Sequence, residues 1–307
     1  MLNRRILRTK VFKAVYSYAE NPGMTLKEVE ALMETSCEAA RDLYLFLLSV
    51  TGPLVDEARS RIEAARAKFN PTEEELHPNM RFVENGITPL LMQDPDFTKI
   101  VSKKKLSWEQ YDVFLRHLYE RIRGRKYFAD YMMEKPEVSL EDDARLWSRI
   151  FEREFEGDSE FEDILEDMSI YWNDDLGSAV GLCRRTMSSL GAGERWNLPP
   201  LYRSDLERNR AYDSDKLFVY RILRAAYNGY AAYCDRIAGL TPKWNRDRIC
   251  TTDLALIVCG MAEAESHPET PVKIIINEYV EIAKGYSTPE SSSFVNGLLD
   301  KLITKHE

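Results

Sequence analysis

No two of the chain's five cysteines stand in a C-x-x-C pair, and their positions, Cys37, Cys183, Cys234, Cys250 and Cys259, are scattered. That pattern argues against a disulfide framework or a cysteine-ligated zinc site, and for a reducing compartment. Cys250 and Cys259 lie in apolar stretches, where core packing is the expected role. Histidine is scarce: His77, His117, His267 and His306 have no metal-ligand spacing with one another. In "NDDL", Asn173 to Leu176, the two carboxylates are adjacent and so point to different sides of a helix, which suits capping or solvated charge better than a metal. There is no G-x-x-x-x-G-K-[ST] and no G-x-G-x-x-G, hence no phosphate-cradling loop. No serine or cysteine has an evident local base. The expectation is a protein that is not an enzyme and uses no cofactor and no metal. No apolar run approaches the roughly 18 residues that cross a bilayer, and the opening "ILRTKVFKAV" is broken by charge too often for a secretory leader. A cytoplasmic protein with no membrane partner is expected.

What is present is an ordinary globular balance: 307 residues, 44% hydrophobic and 30% charged. That length suggests about two domains. A formal charge of −9 argues against coating long nucleic acid as a whole, while leaving room for a local basic surface. Apolar residues recur at three and four along most of the chain and rarely alternate, which predicts an all-α protein without sheet or fixed-period repeat.

The first helix should end at "NPG", Asn21 to Gly23, and Thr25 with Glu28 has capping-box spacing for the second. A long helical stretch is expected over 37–69, bent at Gly52-Pro53. Four prolines break the pattern over 70–105, giving loops and short helices. Helices are expected over 107–133 and 139–155. The acidic run over 134–175 reads as a solvated helix face and linker, or an acidic docking surface. Trp196 to Asp215 reads as a boundary loop and Asp215 to Leu240 as a long helix. Pro271 should open a helix that stops at Lys284-Gly285 with a left-handed glycine cap, and Thr288-Pro289 should open the last, with Ser287 and Glu290 supporting its cap. Gly297 is expected to allow close helix packing.

In this acidic chain, "NRRILRTKVFK", Asn3 to Lys13, carries five positive charges and no acid. At 100° per residue Arg4, Arg5 and Arg8 share one flank of a helix, and Phe12 and Tyr16 continue it, while Lys10 and Lys13 project elsewhere. Arginine offers a planar fork for phosphate and an aromatic offers a stacking platform, a combination suited to single-stranded RNA. The residues alone leave a solvated face and an anionic membrane surface open as well. "KKKL" from Lys103 and "RHLYERIRGRK" from Arg116 are further basic runs, read as solvated faces or auxiliary RNA or protein contacts.

The segment "TPVKIIINEYVEIAKGYSTPESSSFVNGLLDKL", Thr270 to Leu302, resembles the signature of the NusB family in Pro271, Lys273, Asn277-Glu278, Ile282-Ala283-Lys284 and Phe294-Val295-Asn296-Gly297. "TTDLALIVCGMAEAE" from Thr251, "RRILRTKVFKAVYSY" from Arg4 and "DKLFVYRILRAAYNGYAAYCDRI" from Asp215 resemble other helices of that family. The resemblance divides the chain into a first part of a NusB-like bundle over 1–35, a helical insertion over 36–214 as in long, Bacteroides-type forms, and a second part of the bundle over 215–307. It implies a bundle of two helical subdomains. It also implies transcription antitermination by binding boxA-like RNA of ribosomal RNA operons together with the small-subunit ribosomal protein NusE, in a transcription elongation complex. Carried over by position, it implies RNA-site roles for Arg4, Arg5, Arg8, Tyr16, Lys273, Glu290 and Phe294. Two departures are Ile6 and Val258, where the family often has arginine; they favour an alternative, a protein-only scaffold that binds the ribosomal protein without RNA. Asn277 and Glu278 read either as groups satisfying neighbouring helices or as ligand contacts, and Phe294 either as core or as a stacking surface.

Overall fold

The computed structural model describes residues 2–133, 139–172, 174–202, 214–240 and 249–304. Asn173 of "NDDL", most of the expected boundary loop and His306 lie outside the described residues. Among the described residues there are helices and turns but no strand. The helices run α1 (Arg4–Glu20), α2 (Leu26–Ser49), α3 (Thr51–Arg66), α4 (Glu73–Leu76), α5 (Ile87–Met92), α6 (Pro95–Lys103), α7 (Asp112–Arg123) and α8 (Lys126–Met133). They continue as α9 (Leu140–Glu154), α10 (Ser159–Met168), α11 (Leu176–Gly191), α12 (Asp215–Leu240), α13 (Thr251–Ser266), α14 (Val272–Tyr286) and α15 (Pro289–Ile303). None is long and apolar enough to cross a membrane.

Two compact units divide the chain, one of Met1–Glu38 with Pro200–Glu307 and one of Ala39–Pro199. In the first, α13 is the axis. Every residue from Ala255 to Glu263 is buried, because α1, α12, α14 and α15 all pack on it. A helix surrounded in this way is apolar all round rather than amphipathic. Gly260 permits the closest approach: a Cβ there would stand 2.6 Å from Leu299 Cδ2. The close packing expected at Gly297 is absent, since nothing lies within 4 Å of a Cβ at that position. Gly285 is likewise no left-handed cap. It sits inside α14, which runs on to Tyr286, and the positive-φ glycines among the described residues are Gly157 and Gly193. Ser287 does not cap α15. Its hydroxyl donates to Asp253 Oδ1 at 2.7 Å, and Ser291 donates to Oδ2 at 2.9 Å, so a carboxylate in the first turn of α13 ties down the turn before α15. Cys259 is buried as expected, whereas Cys250 is exposed, because it stands just outside α13.

The second unit lies inside the stretch read as an insertion. The expected bend at Gly52-Pro53 falls two residues early, at Val50 between α2 and α3, and the stretch 107–133 is two helices separated at Gly124. Its core is aromatic. Trp108 stacks on Phe46 with centroids 4.1 Å apart, and Phe114, Phe155 and Phe161 extend the cluster. Buried polar groups are answered locally: Trp147 Nε1 donates to Asn85 Oδ1 at 3.1 Å. The buried Glu154 carboxylate accepts from Arg121, Arg125 and the Tyr127 hydroxyl. Helices α9 and α11 are held close by a small-residue contact, with a Cβ at Gly191 falling 2.7 Å from Ala144 Cβ.

Candidate nucleic-acid interface

Helix α1 begins at Asn3, whose Oδ1 accepts from Ile6 N at 2.9 Å. Three arginines and no acid then occupy its first two turns, against the helix dipole. The compensation comes from other helices of the same unit. Arg5 makes a two-pronged pair with Glu278 of α14, Nε to Oε2 at 3.0 Å and Nη2 to Oε1 at 2.8 Å. Arg8 makes one with Glu263 of α13, Nε to Oε2 at 2.8 Å and Nη2 to Oε1 at 2.5 Å. The Tyr279 hydroxyl also donates to Glu263, at 3.0 Å. Arg4 Nε stands 3.6 Å from Asp215 of α12, and the guanidinium groups of Arg4 and Arg8 lie over the ring of Phe218, 4.7 and 5.1 Å from its centroid.

Burial separates the three. The side chains of Arg4 and Arg5 are 46% and 51% exposed, while that of Arg8 is 5% exposed and its partner Glu263 is fully covered. The flank expected to face solvent is therefore partly interior, because α12 and α13 both pack on α1. Lys10, expected to project away from that flank, is buried, as is Phe12. The electrostatics follow. The hydrogen bonds from Arg5 hold the Glu278 carboxyl below the usual carboxylate range, outweighing its partial burial. Burial pulls the Arg8 guanidinium down, but the bonds and charge of Glu263 more than offset it and its pKa rises. Burial pushes the Tyr279 phenol well up.

Arg4 and Arg5 open onto a cleft of about 650 Å³ lined also by Asn3, Arg8, Thr270, Pro271, Ile274 and two carboxylates, Glu269 and Glu278. The N-terminal ends of α1 and α14 both border it. Pro271 precedes α14, and no side chain caps that helix's first turn. Two positive helix ends and two half-exposed guanidinium groups make a place where an anion is favoured. Lys273 is exposed on the first turn of α14. Asn277, one turn on, is also exposed, and its amide makes no hydrogen bond among the described residues. Of that pair, Glu278 instead binds arginine within the protein.

Tyr16 is exposed and belongs to an aromatic row. Its ring centroid lies 6.4 Å from that of Phe12, which meets Tyr286 edge-on at 5.3 Å, with Lys13 Nζ 5.3 Å from the Tyr286 centroid. Glu290 is exposed and Phe294 half-buried on α15. Neither lines the cleft. Ile6 is half-buried, and Val258 is wholly buried in α13, so that position adds nothing to any surface of this chain. The carboxylates that answer the arginines escaped the reading of the sequence. A signal for Glu263 was available: a carboxylate inside the otherwise apolar run "LALIVCGMAEA" must be paired if that run is a core helix.

An all-helical unit with a basic-tipped first helix packed on α12, α13 and α14 defines the class. The profile of the NusB family matches residues 197–304. The chain is 36% identical over 104 residues to the transcription antitermination protein NusB of Roseiflexus sp. strain RS-1, covering 33% of this chain and 72% of the relative. It is 32% identical over 108 residues to that of Methylacidiphilum infernorum, 35% of this chain and 68% of the relative. With the NusB of Syntrophotalea carbinolica it shares 41% identity over 78 residues, which span 24% of this chain and half of the relative. No solved structure matches the chain. The chain belongs to the NusB family, in a form lengthened by additional helices.

Proposed function

We propose that this protein is a transcription antitermination factor, not an enzyme, that binds boxA-like single-stranded RNA together with the ribosomal protein NusE. The observation that carries the reading is the cleft where Arg4 and Arg5 stand beside the N-terminal ends of α1 and α14. Arg5 can exchange its carboxylate for a phosphate, since its own side chain is half-exposed and Glu278 keeps Arg8 Nη1 at 3.6 Å when Arg5 leaves. Arg8 cannot: removing a partner from a buried pair costs about 3–5 kcal/mol. The RNA contacts are therefore assigned to Arg4, Arg5 and Lys273, with Tyr16 as a stacking side chain, and Arg8 positions α1. Glu290 and Phe294 remain on the proposed surface as neighbours on α15.

Three neutralised phosphates on a single strand give a slope of log affinity on log salt of about −2. Fluorescence anisotropy of a boxA-like RNA, with NusE present and at two salt concentrations, should return that slope. A specific observation favours the second reading, a protein-only scaffold: all three arginines already face carboxylates of the same chain. Capture of NusE with no anisotropy change on RNA would select the scaffold.

A further inference from the structure

The second unit carries a trough that the family resemblance does not explain. On α9, Glu141, Arg145, Ser148, Arg149 and Glu152 follow one another at helical spacing and line one wall, and Arg184 and Ser188 of α11 line the other, around a cleft of about 510 Å³. A second cleft of about 480 Å³ shares Arg149 and Glu152 and adds Arg125, Tyr127 and Arg153. Arg149 and Glu152 thus border both clefts.

The carboxylates in this trough are already engaged. Glu141 accepts from Arg145 at 3.1 Å and Glu152 from Arg184 at 2.9 Å. Arg149, between them, is exposed and makes no ion pair or hydrogen bond among the described residues, and neither does the hydroxyl of Ser148 beside it. Arg153 is 70% exposed, with its nearest carboxylate oxygen, on Glu152, 3.9 Å away. Five arginines and two acids line the two clefts of a chain whose net charge is −9; Arg145, Arg184 and Arg125 are paired, the last with the buried Glu154, which leaves Arg149 and Arg153 as the guanidinium groups open to a ligand. A single small anion would need one such fork. Two of them one helical turn apart, Arg149 and Arg153, fit a repeating polyanion.

We propose that this trough is a second binding site for the phosphate backbone of single-stranded RNA, centred on Arg149 and Arg153. It rests on the proposed RNA-binding function but uses different residues. That arrangement places positive surface on the added helices, where this family member has none at Ile6 or Val258.

The test is anisotropy of a fluorescein-labelled single-stranded RNA of about 12 nucleotides, within the range of known single-strand sites, on the full chain with NusE. Arg149→Glu with Arg153→Glu should weaken binding about tenfold and flatten the salt slope by about 1, the loss of one to two phosphate contacts. Arg149→Gln with Arg153→Gln should give a smaller loss in the same direction. Both positions are exposed, so an unchanged thermal unfolding midpoint is expected. Affinity unchanged in both pairs, with Arg4→Gln plus Arg5→Gln weakening it, overturns this inference alone. The converse pattern overturns the α1 site and keeps the trough. No RNA binding by the unaltered protein overturns both. Displacement of the RNA by poly-glutamate as readily as by unlabelled RNA overturns the assignment to nucleic acid, in favour of an acidic protein partner.

Discussion

Arg8 and Glu263 meet where water does not reach, and their bond decides what the first helix is for. A guanidinium and a carboxylate in two-pronged contact, with a phenol completing the carboxylate's bonds, can be buried together but not apart. Arg8→Ala should therefore lower unfolding stability by about 3–5 kcal/mol. Arg8→Met with Glu263→Leu should recover much of that, because it leaves no buried charge without a partner. Denaturant unfolding of the two variants measures it. Equal destabilisation of the single and double variants would show that the pair is not what holds α1 against α13. Loss of RNA affinity in an Arg8 variant would thus report on folding first, which is why the contact residues are sought at the exposed Arg4 and Arg5.

Among the elements, α13 carries the packing, and its glycine separates two kinds of small residue. Gly260→Val would drive side-chain atoms into Leu299 and should cost about 1–3 kcal/mol, the usual range for overpacking. Gly297 is exposed in mid-helix with open space around its Cβ position, so Gly297→Ala should add about 0.5–1 kcal/mol through helix propensity. Thermal unfolding of the two variants should move in opposite directions; a fall for both would mean that Gly297 also packs. The ends of several helices were legible because local groups set them. The Thr25 and Glu28 capping box forms, with Thr25 N donating to Glu28 Oε2 at 2.7 Å, and α12 spans Asp215 to Leu240 as expected. The residues of α11 were not recognised as a helix, because "LGSAVGLCRRTMSSLG" is small, polar and glycine-bearing, and its helicity depends on packing against α9. Helix α10 was obscured by its acids, although Phe161, Ile164 and Leu165 turn inward together. The site was half legible. The basic tip of α1 could be read directly, but which arginine is buried depends on carboxylates more than 200 residues away.

At the scale of the whole molecule, an acidic chain gathers cations at two places: the tip of α1 in one unit and the trough on α9 and α11 in the other. The family profile matches residues 197–304, which hold the helices α12 to α14 that answer the arginines of the first and none of the trough. Net charge opposes approach of RNA at long range, so binding depends on local pairing and is sensitive to salt. The central claim is that the exposed guanidinium groups at the α1 tip give up their own carboxylates to RNA phosphates. The most direct measurement compares Glu278→Gln with Arg5→Gln by RNA anisotropy in the presence of NusE. Removing the competing carboxylate should tighten binding a few-fold, and removing the guanidinium should weaken it by at least as much. Unchanged affinity in both variants, or weaker binding in Glu278→Gln, would contradict it.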